Sequence, residues 1–120
     1  MLEWKIAINT KSTGITKLIT IPDNKQCVIE QIALRVIEST GIITPAEGTM
    51  GSNDPNYDNV FNLDSDIFDN LINENYVIIS CSKDKVCPIF QSGDTIYLNI
   101  STAATGVSQT IEADLFGYLI

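Results

Sequence analysis

Strict alternation of apolar and polar residues marks two segments in the last quarter of the chain. A period of two is typical of β-strands with one buried face. We therefore expect two neighbouring strands here, joined by a loop around Gly106. The apolar positions are Ile96, Leu98 and Ile100 in the first segment, and Ile111, Ala113 and Leu115 in the second.

The final residues depart from this alternation. Phe116, Tyr118, Leu119 and Ile120 leave both faces of the last strand apolar. A strand that is apolar on both faces is usually covered on both. The pattern predicts that the C-terminus is buried, either inside a β-sandwich or against another subunit.

The same alternation predicts five further strands. Their expected ranges are Trp4–Asn9, Ile15–Ile21, Cys27–Glu38, Tyr76–Ser82 and Val86–Phe90. The strand that begins at Cys27 is the longest and has apolar residues on both faces, so we expect it to be central and covered on both sides. Pro88 cannot donate a ladder hydrogen bond, which confines the last of these strands to a sheet edge.

The middle of the chain has a different pattern. Residues Gly48–Asn56 are rich in Gly, Asn, Asp and Pro and predict a loop. Apolar residues then recur at helical spacing, and Asp64 or Ser65 is suited to cap a short helix near Ser65–Ile72. Taken together, the elements predict an all-β protein: a single antiparallel β-sandwich domain over residues 1–120, with one inserted helix.

Charge and composition remove several classes of function. Fifteen acidic and seven basic residues give a formal net charge of −8. That charge disfavours binding to nucleic acid and to anionic membrane surfaces, which both require basic patches. The absence of histidine removes Ser–His, Cys–His and histidine–metal catalysis. No segment has the length and apolarity of a membrane helix, and the first residues do not resemble a secretion signal.

The three cysteines match neither a metal-binding spacing nor a secreted disulfide framework. We expect Cys27, Cys81 and Cys87 to be free thiols, packed as small apolar side chains in a reducing compartment. If Lys83–Lys85 forms a hairpin turn, Cys81 and Cys87 lie opposite each other, and a strained cross-strand disulfide becomes geometrically feasible.

An acidic segment between residues 53 and 69 is the candidate for ion chemistry. Oxygen-rich loops can bind Ca²⁺, but this spacing lacks the glycine and glutamate positions of an EF-hand, and a solvated acidic loop is the favoured interpretation. Carboxylate pairs such as Glu30 and Glu112 are the residue types of glycosidases, yet no motif selects any pair. We predict no catalytic residue, no metal site and no cofactor.

Aromatic residues allow two further interpretations, sugar stacking and protein–protein contact. Tyr57 lies in the predicted loop and is the candidate for ligand contact, whereas burial or subunit contact is expected for tyrosines on strands. The candidate ligand-binding loop consists of Asn53, Asp54, Asn56, Tyr57 and Asp58. The candidate subunit interface consists of Trp4, Tyr97, Phe116, Tyr118 and Ile120.

Several segments resemble the β-sandwich, jelly-roll-like modules of tailed-phage virions. Such modules occur in capsid-decoration and head-fibre proteins and in the C-terminal domains of tail fibres. The resemblance covers the chain from about Ile15 onward. The segments that carry it are Ile21–Pro22, Gly51 with Asn56–Asp58, Gly93–Ile96, Thr102–Gly106 and Phe116–Leu119.

The resemblance implies a non-enzymatic virion protein that is assembled in the cytoplasm of a host bacterium. A capsid-decoration, auxiliary or head-fibre protein is expected, which attaches to other virion proteins and self-associates, with a homotrimer favoured. The alternative is a tail-fibre-type receptor-binding module whose loop at Asn53–Asp58 recognises a host-surface glycan. A cellular protein with no phage origin is also compatible with the composition.

Overall fold

The structure, a computed structural model, describes residues 2–80 and 89–120. These residues form nine antiparallel-paired β-strands and one α-helix. The strands are β1 (Leu2–Asn9), β2 (Gly14–Thr20), β3 (Cys27–Thr44), β4 (Glu47–Gly51), β5 (Phe61–Leu63), β6 (Tyr76–Ser80), β7 (Ile89–Phe90), β8 (Thr95–Thr102) and β9 (Thr105–Leu119), and the helix is α1 (Ser65–Glu74).

The strands pair in a nested order, first with last. β1 pairs with β9, β2 with β8, β3 with β6, and β4 with β5. One sheet, named here the β9 sheet, has the order β1-β9-β3-β6, with β7 also paired to β3. The other, the β8 sheet, has the order β2-β8-β4-β5. Nested pairing across two antiparallel sheets is the jelly-roll arrangement, so the predicted fold class is confirmed.

The core lies between the inner faces of the two sheets. The alternation predicted for β8 and β9 is confirmed, because every second residue is buried from Ile96 to Ile100 and from Gln109 to Gly117. On β1, Ile8 is buried, and Trp4 and Ile6 pack half-buried against the same core. The buried positions of β8 and β9 include Ile96, Leu98, Ile100, Ile111, Ala113 and Leu115.

The prediction that β3 is covered on both faces is wrong. Ile29 is opposite Gly117 but Gln31 is opposite Phe116, so Glu30 is an extra residue, a β-bulge. The bulge puts Ile29 and Ile32 on the same buried face, where strict alternation would separate them. Among the described residues, the outer face of β3 is half-buried to exposed. The strand also continues to Thr44, beyond the predicted end at Glu38.

The predicted loop at Gly48–Asn56 is wrong in its first half, which is strand β4. Gly48 lies so close to β8 that a Cβ atom there would collide with the carbonyl oxygen of Asn99. Met50 from the same strand is fully buried. Glycine here permits two strands to approach closely and does not form a turn. Composition alone does not distinguish these two uses of glycine.

The predicted helix is confirmed as α1 and runs two residues further than expected, to Glu74. Asp64 is the N-cap, and its side chain accepts a hydrogen bond from the backbone N–H of Ile67. Phe68 and Leu71 are fully buried. The helix contacts β3, β4, β5 and β6, so it closes one lateral side of the sandwich.

The loop between β8 and β9 is shorter than predicted and does not contain Gly106. That residue lies in β9 opposite Ile42, with φ of +125°, and a Cβ atom there would collide with the carbonyl oxygen of Gly41. The glycine therefore allows the backbones of β3 and β9 to lie close together where Ile42 pairs with Gly106.

Within the sandwich, the C-terminus is buried on only one face, and its burial against another subunit stays a prediction. Gly117 is buried and Leu119 half-buried, but Tyr118 and Ile120 are 40% and 62% exposed. The backbone of Ile120 exchanges two hydrogen bonds with Gln26 and so fixes the end of the chain. Beyond Phe116, apolar and polar residues no longer alternate in the sequence, but buried and exposed residues still alternate in the structure.

Several predictions lie outside the described residues: the hairpin turn at Lys83–Lys85, the state of Cys81 and Cys87 as free thiols or as a pair, the end of the strand Tyr76–Ser82, and most of the strand Val86–Phe90. Cys27 is buried and not in a disulfide, and its burial raises the pKa of the thiol. Within residues 2–80 and 89–120, the structure has no helix long and apolar enough to span a membrane.

Candidate functional site

The candidate ligand-binding loop follows β4 and is organised around the side chain of Asn53. The Asn53 Oδ1 atom accepts hydrogen bonds from the backbone N–H groups of Asp58 and Asn59, at 2.8 and 3.1 Å. Its amide nitrogen donates to Asp58 Oδ1 at 2.6 Å. Asn59 in turn bonds the backbone N–H and the hydroxyl of Ser52. These bonds form a compact turn closed by its own side chains.

Tyr57 fixes this loop to the body of the sandwich. Its ring packs edge-on against Tyr97 of β8, with ring centroids 5.1 Å apart. Its hydroxyl donates to Asp54 Oδ1 at 3.1 Å. Partial burial and this bond to Asp54 both raise the pKa of the Tyr57 hydroxyl. Contact with Tyr97 leaves the ring half-buried, which reduces the face available for sugar stacking.

The structure thus brings the five predicted loop residues together, and most of their polar groups bond within the loop. Asp54, Asn56 and Asp58 are exposed. In the described part of the chain, no group of three or more Cys, Asp or Glu side chains is placed to hold a metal ion, and no pocket is present. Ligand binding at this loop stays a prediction.

The predicted interface residues fall into three separate places. Phe116, Tyr118 and Ile120 share the outer face of β9, where Val28 of β3 and Ile89 of β7 continue an apolar row across the sheet. Trp4 lies on the opposite, inner face of β1, because it pairs with Leu115. Tyr97 lies on the β8 sheet, under Tyr57. A subunit interface through these residues stays a prediction.

A group of charged residues on the outer face of the β9 sheet was not predicted from the sequence. Asp114 lies opposite Lys5, with Asp114 Oδ2 at 3.9 Å from the lysine Nζ. The other oxygen, Oδ1, is buried and has no hydrogen-bond partner among the described residues. Glu3 also lies beside Lys5, at 3.6 Å. Glu112, on the same strand as Asp114, accepts a hydrogen bond from Arg35 at 2.8 Å.

The environment of Asp114 favours its protonated form. Burial, followed by a hydrogen bond with the Glu3 carboxyl, raises the pKa of Asp114 to about 6. When both carboxyls are ionised, neither has a proton to donate, so Oδ1 lacks a donor. One proton held between Asp114 and Glu3 removes the charge repulsion between the two carboxyls. Only the pairing of β1 with β9 reveals this proximity, because the two residues lie at opposite ends of the chain.

No protein-family model and no curated protein matches this chain. A solved structure does match: a chain of the acid-stable capsid of Helicobacter pylori bacteriophage KHP30. The superposition has a TM-score of 0.68 and covers 99% of this chain and 90% of that one, at 13% sequence identity. At this identity the likeness establishes a shared fold over nearly the whole of both chains.

Proposed function

We propose that this chain is a non-enzymatic structural protein of a tailed-phage virion. The observation that carries the proposal is the fold similarity to a chain of a phage capsid, which extends over 99% of this chain and 90% of that one. The jelly roll is a recurrent fold of viral capsid proteins. A histidine-free sequence, and described residues that present no pocket, give an enzymatic role no support.

Within the virion, a capsid-decoration, auxiliary or head-fibre role fits best. Such a protein needs surfaces for other virion proteins and for copies of itself, and a homotrimer is the assembly that we expect. Tyr118 and Ile120, exposed on the outer face of the β9 sheet, are the proposed attachment residues. The internally bonded loop at Ser52–Asn59 favours this structural role over glycan recognition.

An add-back experiment tests the proposal. Particles of the virus whose genome encodes this chain are prepared without it, then mixed with the purified chain and sedimented. We expect saturable binding, because a capsid lattice offers a fixed number of equivalent sites. The double variant Tyr118→Ser, Ile120→Ser should bind at least about tenfold more weakly.

Ile43→Ser is the matched control, since Ile43 is 79% exposed at the far end of the paired strands β3 and β9. It should bind like the unmodified chain. Absence of saturable binding by the unmodified chain would overturn the virion role. Normal binding by the double variant would overturn only the choice of attachment residues.

A further inference from the structure

The edge strands of the two sheets differ in how they are protected. An exposed strand edge is a template for pairing with another chain, and proteins usually shorten, bend or cover such edges. Among residues 2–80 and 89–120, β5 and β7 have only three and two residues, and β6 has five and contacts α1. The edge strand β2 is bent by a β-bulge between Lys17 and Ile19. These four edges are therefore short, covered or irregular.

The edge strand β1 lacks these protections. It pairs with β9 over eight consecutive residues, from Leu2 to Asn9, with no bulge and no proline. It is the last strand of the β9 sheet, so its far edge pairs with no described strand. Its charged residues, Glu3 and Lys5, cancel each other, so no net charge on β1 repels a second strand.

The inner face of β1 is incompletely covered. Trp4 and Ile6 point into the sandwich, because they pair with the buried residues Leu115 and Ala113. Both nevertheless stay half-buried, as does Leu18 on β2, the strand that β1 contacts across the sandwich. At the opposite end of the sheet, β6 is packed against α1. A strand added beside β1 would extend the sheet where this cover is missing.

The sequence of β1 complements itself when two copies of the strand run antiparallel. Directly opposite residues of an antiparallel pair lie on the same face of the sheet. With Trp4 on a two-fold axis, Glu3 of one copy lies opposite Lys5 of the other, and the same pair recurs on the other side of the axis. Trp4 then lies opposite its own equivalent. Aromatic pairs and opposite charges in these positions both stabilise a sheet.

Other registers of the same strand pair are less favourable. An axis at Glu3 places two glutamates opposite each other and an axis at Lys5 places two lysines, and such like-charge pairs are destabilising. An axis at Ile6 leaves both charges without an opposite charge, and it places Trp4 opposite Ile8, which is already buried in its own copy. A shift by one residue sets apolar positions against polar ones. The register with Trp4 on the axis is therefore favoured.

The contacts of Lys5 within its own chain leave it able to bind a further carboxylate. Its Nζ atom is 3.6 Å from a Glu3 oxygen and 3.9 Å from an Asp114 oxygen. Both distances exceed the length of a hydrogen bond, and the lysine side chain is 51% exposed. An ammonium group has three donors, so a glutamate of another copy can still accept a hydrogen bond from it.

We propose that two copies of this chain join through the free edges of β1, antiparallel and with Trp4 on the two-fold axis. The β9 sheets of the two copies then form one continuous sheet. A two-fold contact does not close a ring of three copies, so it is additional to the expected trimer and links one copy in each of two trimers. The inference deepens the self-association part of the proposed function and rests on it, but its test needs no virus particle.

Two complementary charge variants test the contact. The purified chain is measured by size exclusion with light scattering at several concentrations, and we expect an even number of copies: twice 13.2 kDa, or six times where trimers also form. Lys5→Glu alone and Glu3→Lys alone should each weaken the pairing at least about tenfold, because like charges then lie opposite each other. Mixing the two variants should restore it, because every charged cross-strand pair then joins a lysine to a glutamate.

The mixture separates contact between copies from effects inside one chain, since each substitution still has its internal effects there. Lys17→Glu is the matched control, because it makes the same change on the exposed side of the other edge strand, β2. It should leave the pairing unchanged.

A cross-linking measurement tests the register. A mixture of Glu3→Cys and Lys5→Cys chains, treated with an oxidant, should form disulfide-linked dimers, because directly opposite residues lie about 5 Å apart. Each variant alone should cross-link no more than the unmodified chain, since its two new cysteines are displaced by about 7 Å along the strands. A mixture of Glu3→Cys with Lys17→Cys is the matched control and should not cross-link above that level.

Three results would overturn the proposal. The first is a chain that stays monomeric at all concentrations or forms trimers only. The second is a mixture of the charge variants that pairs no better than either variant alone. The third is cross-linking in the mixture of Glu3→Cys and Lys5→Cys chains that does not exceed that of the single variants. None of these results bears on whether the chain binds virus particles.

Discussion

Asp114 is the residue whose surroundings depart most from those of a solvated carboxylate. It lies in a regular strand, between β1 and β3, yet one of its oxygens is buried without a donor and Glu3 is its neighbour. Lys5 compensates in part, at 3.9 Å from the other oxygen. The folded protein therefore binds a proton at Asp114 more tightly than the unfolded chain does.

This linkage predicts that mild acid stabilises the fold. The pKa of Asp114 is about 6 when folded, against 3.8 for an ordinary aspartate, so the stabilisation is complete below about pH 4 and is lost as pH rises through 6. Asp114→Asn should raise the free energy of unfolding at pH 8 by roughly 1–2 kcal/mol and abolish the gain between pH 8 and 5. Thermal unfolding across this range measures both effects.

Asp69→Asn, on the exposed face of α1, is the matched control and should leave the pH profile unchanged. Thermal unfolding is compared only above pH 5, because in stronger acid Glu38 has the opposite effect on stability from Asp114. Hydrogen bonds from Thr40 and Ser108 lower the pKa of Glu38, so that contribution is lost only in stronger acid. A melting temperature that falls steadily from pH 8 to 5 would contradict the account of Asp114.

At the scale of single elements, β4 shows how a glycine acts inside a strand. Its Gly48 lies against the backbone of β8, where an added Cβ atom would meet the Asn99 carbonyl oxygen. The sheet therefore depends on the absence of a side chain at this position. A larger residue must push β4 away from β8 or distort the ladder.

Gly48→Ala should lower the free energy of unfolding by about 1–3 kcal/mol, measured by urea denaturation. Glu47→Ala, at the exposed first residue of the same strand, is the control and should change it by less than about 0.5 kcal/mol. Equal stability of the Gly48 variant and the unmodified chain would show that β4 and β8 are not as close as described.

The elements that the sequence predicts well are those whose pattern is local. Alternation in β8 and β9 and the cap at Asp64 depend on neighbours a few residues away, so they can be read from the sequence. The bulge at Glu30 cannot, because it is defined by the register of β3 against β9. The role of Gly48 depends in the same way on a strand far along the chain.

The same distinction between local patterns and long-range pairing applies to the candidate site. The loop Asn53–Asp58 was predicted as a unit because its residue types favour turns, but its internal hydrogen bonds and the packing of Tyr57 on Tyr97 appear only in three dimensions. Glu3 and Asp114 carry no sequence signal at all, since only β-pairing brings them together. Trp4 was predicted as an interface residue, and its inward direction follows from its pairing with Leu115.

At the scale of the whole molecule, the outer face of the β9 sheet has a proposed task. This face, with Tyr118 and Ile120, is proposed to attach to other virion proteins.

Electron cryomicroscopy of purified particles from the virus that encodes this chain is the most direct test of the central claim. The account predicts density for the jelly roll on the capsid, in a fixed number of copies. Particles that form and infect normally without any such density, from a virus that expresses the chain, would contradict a virion structural role.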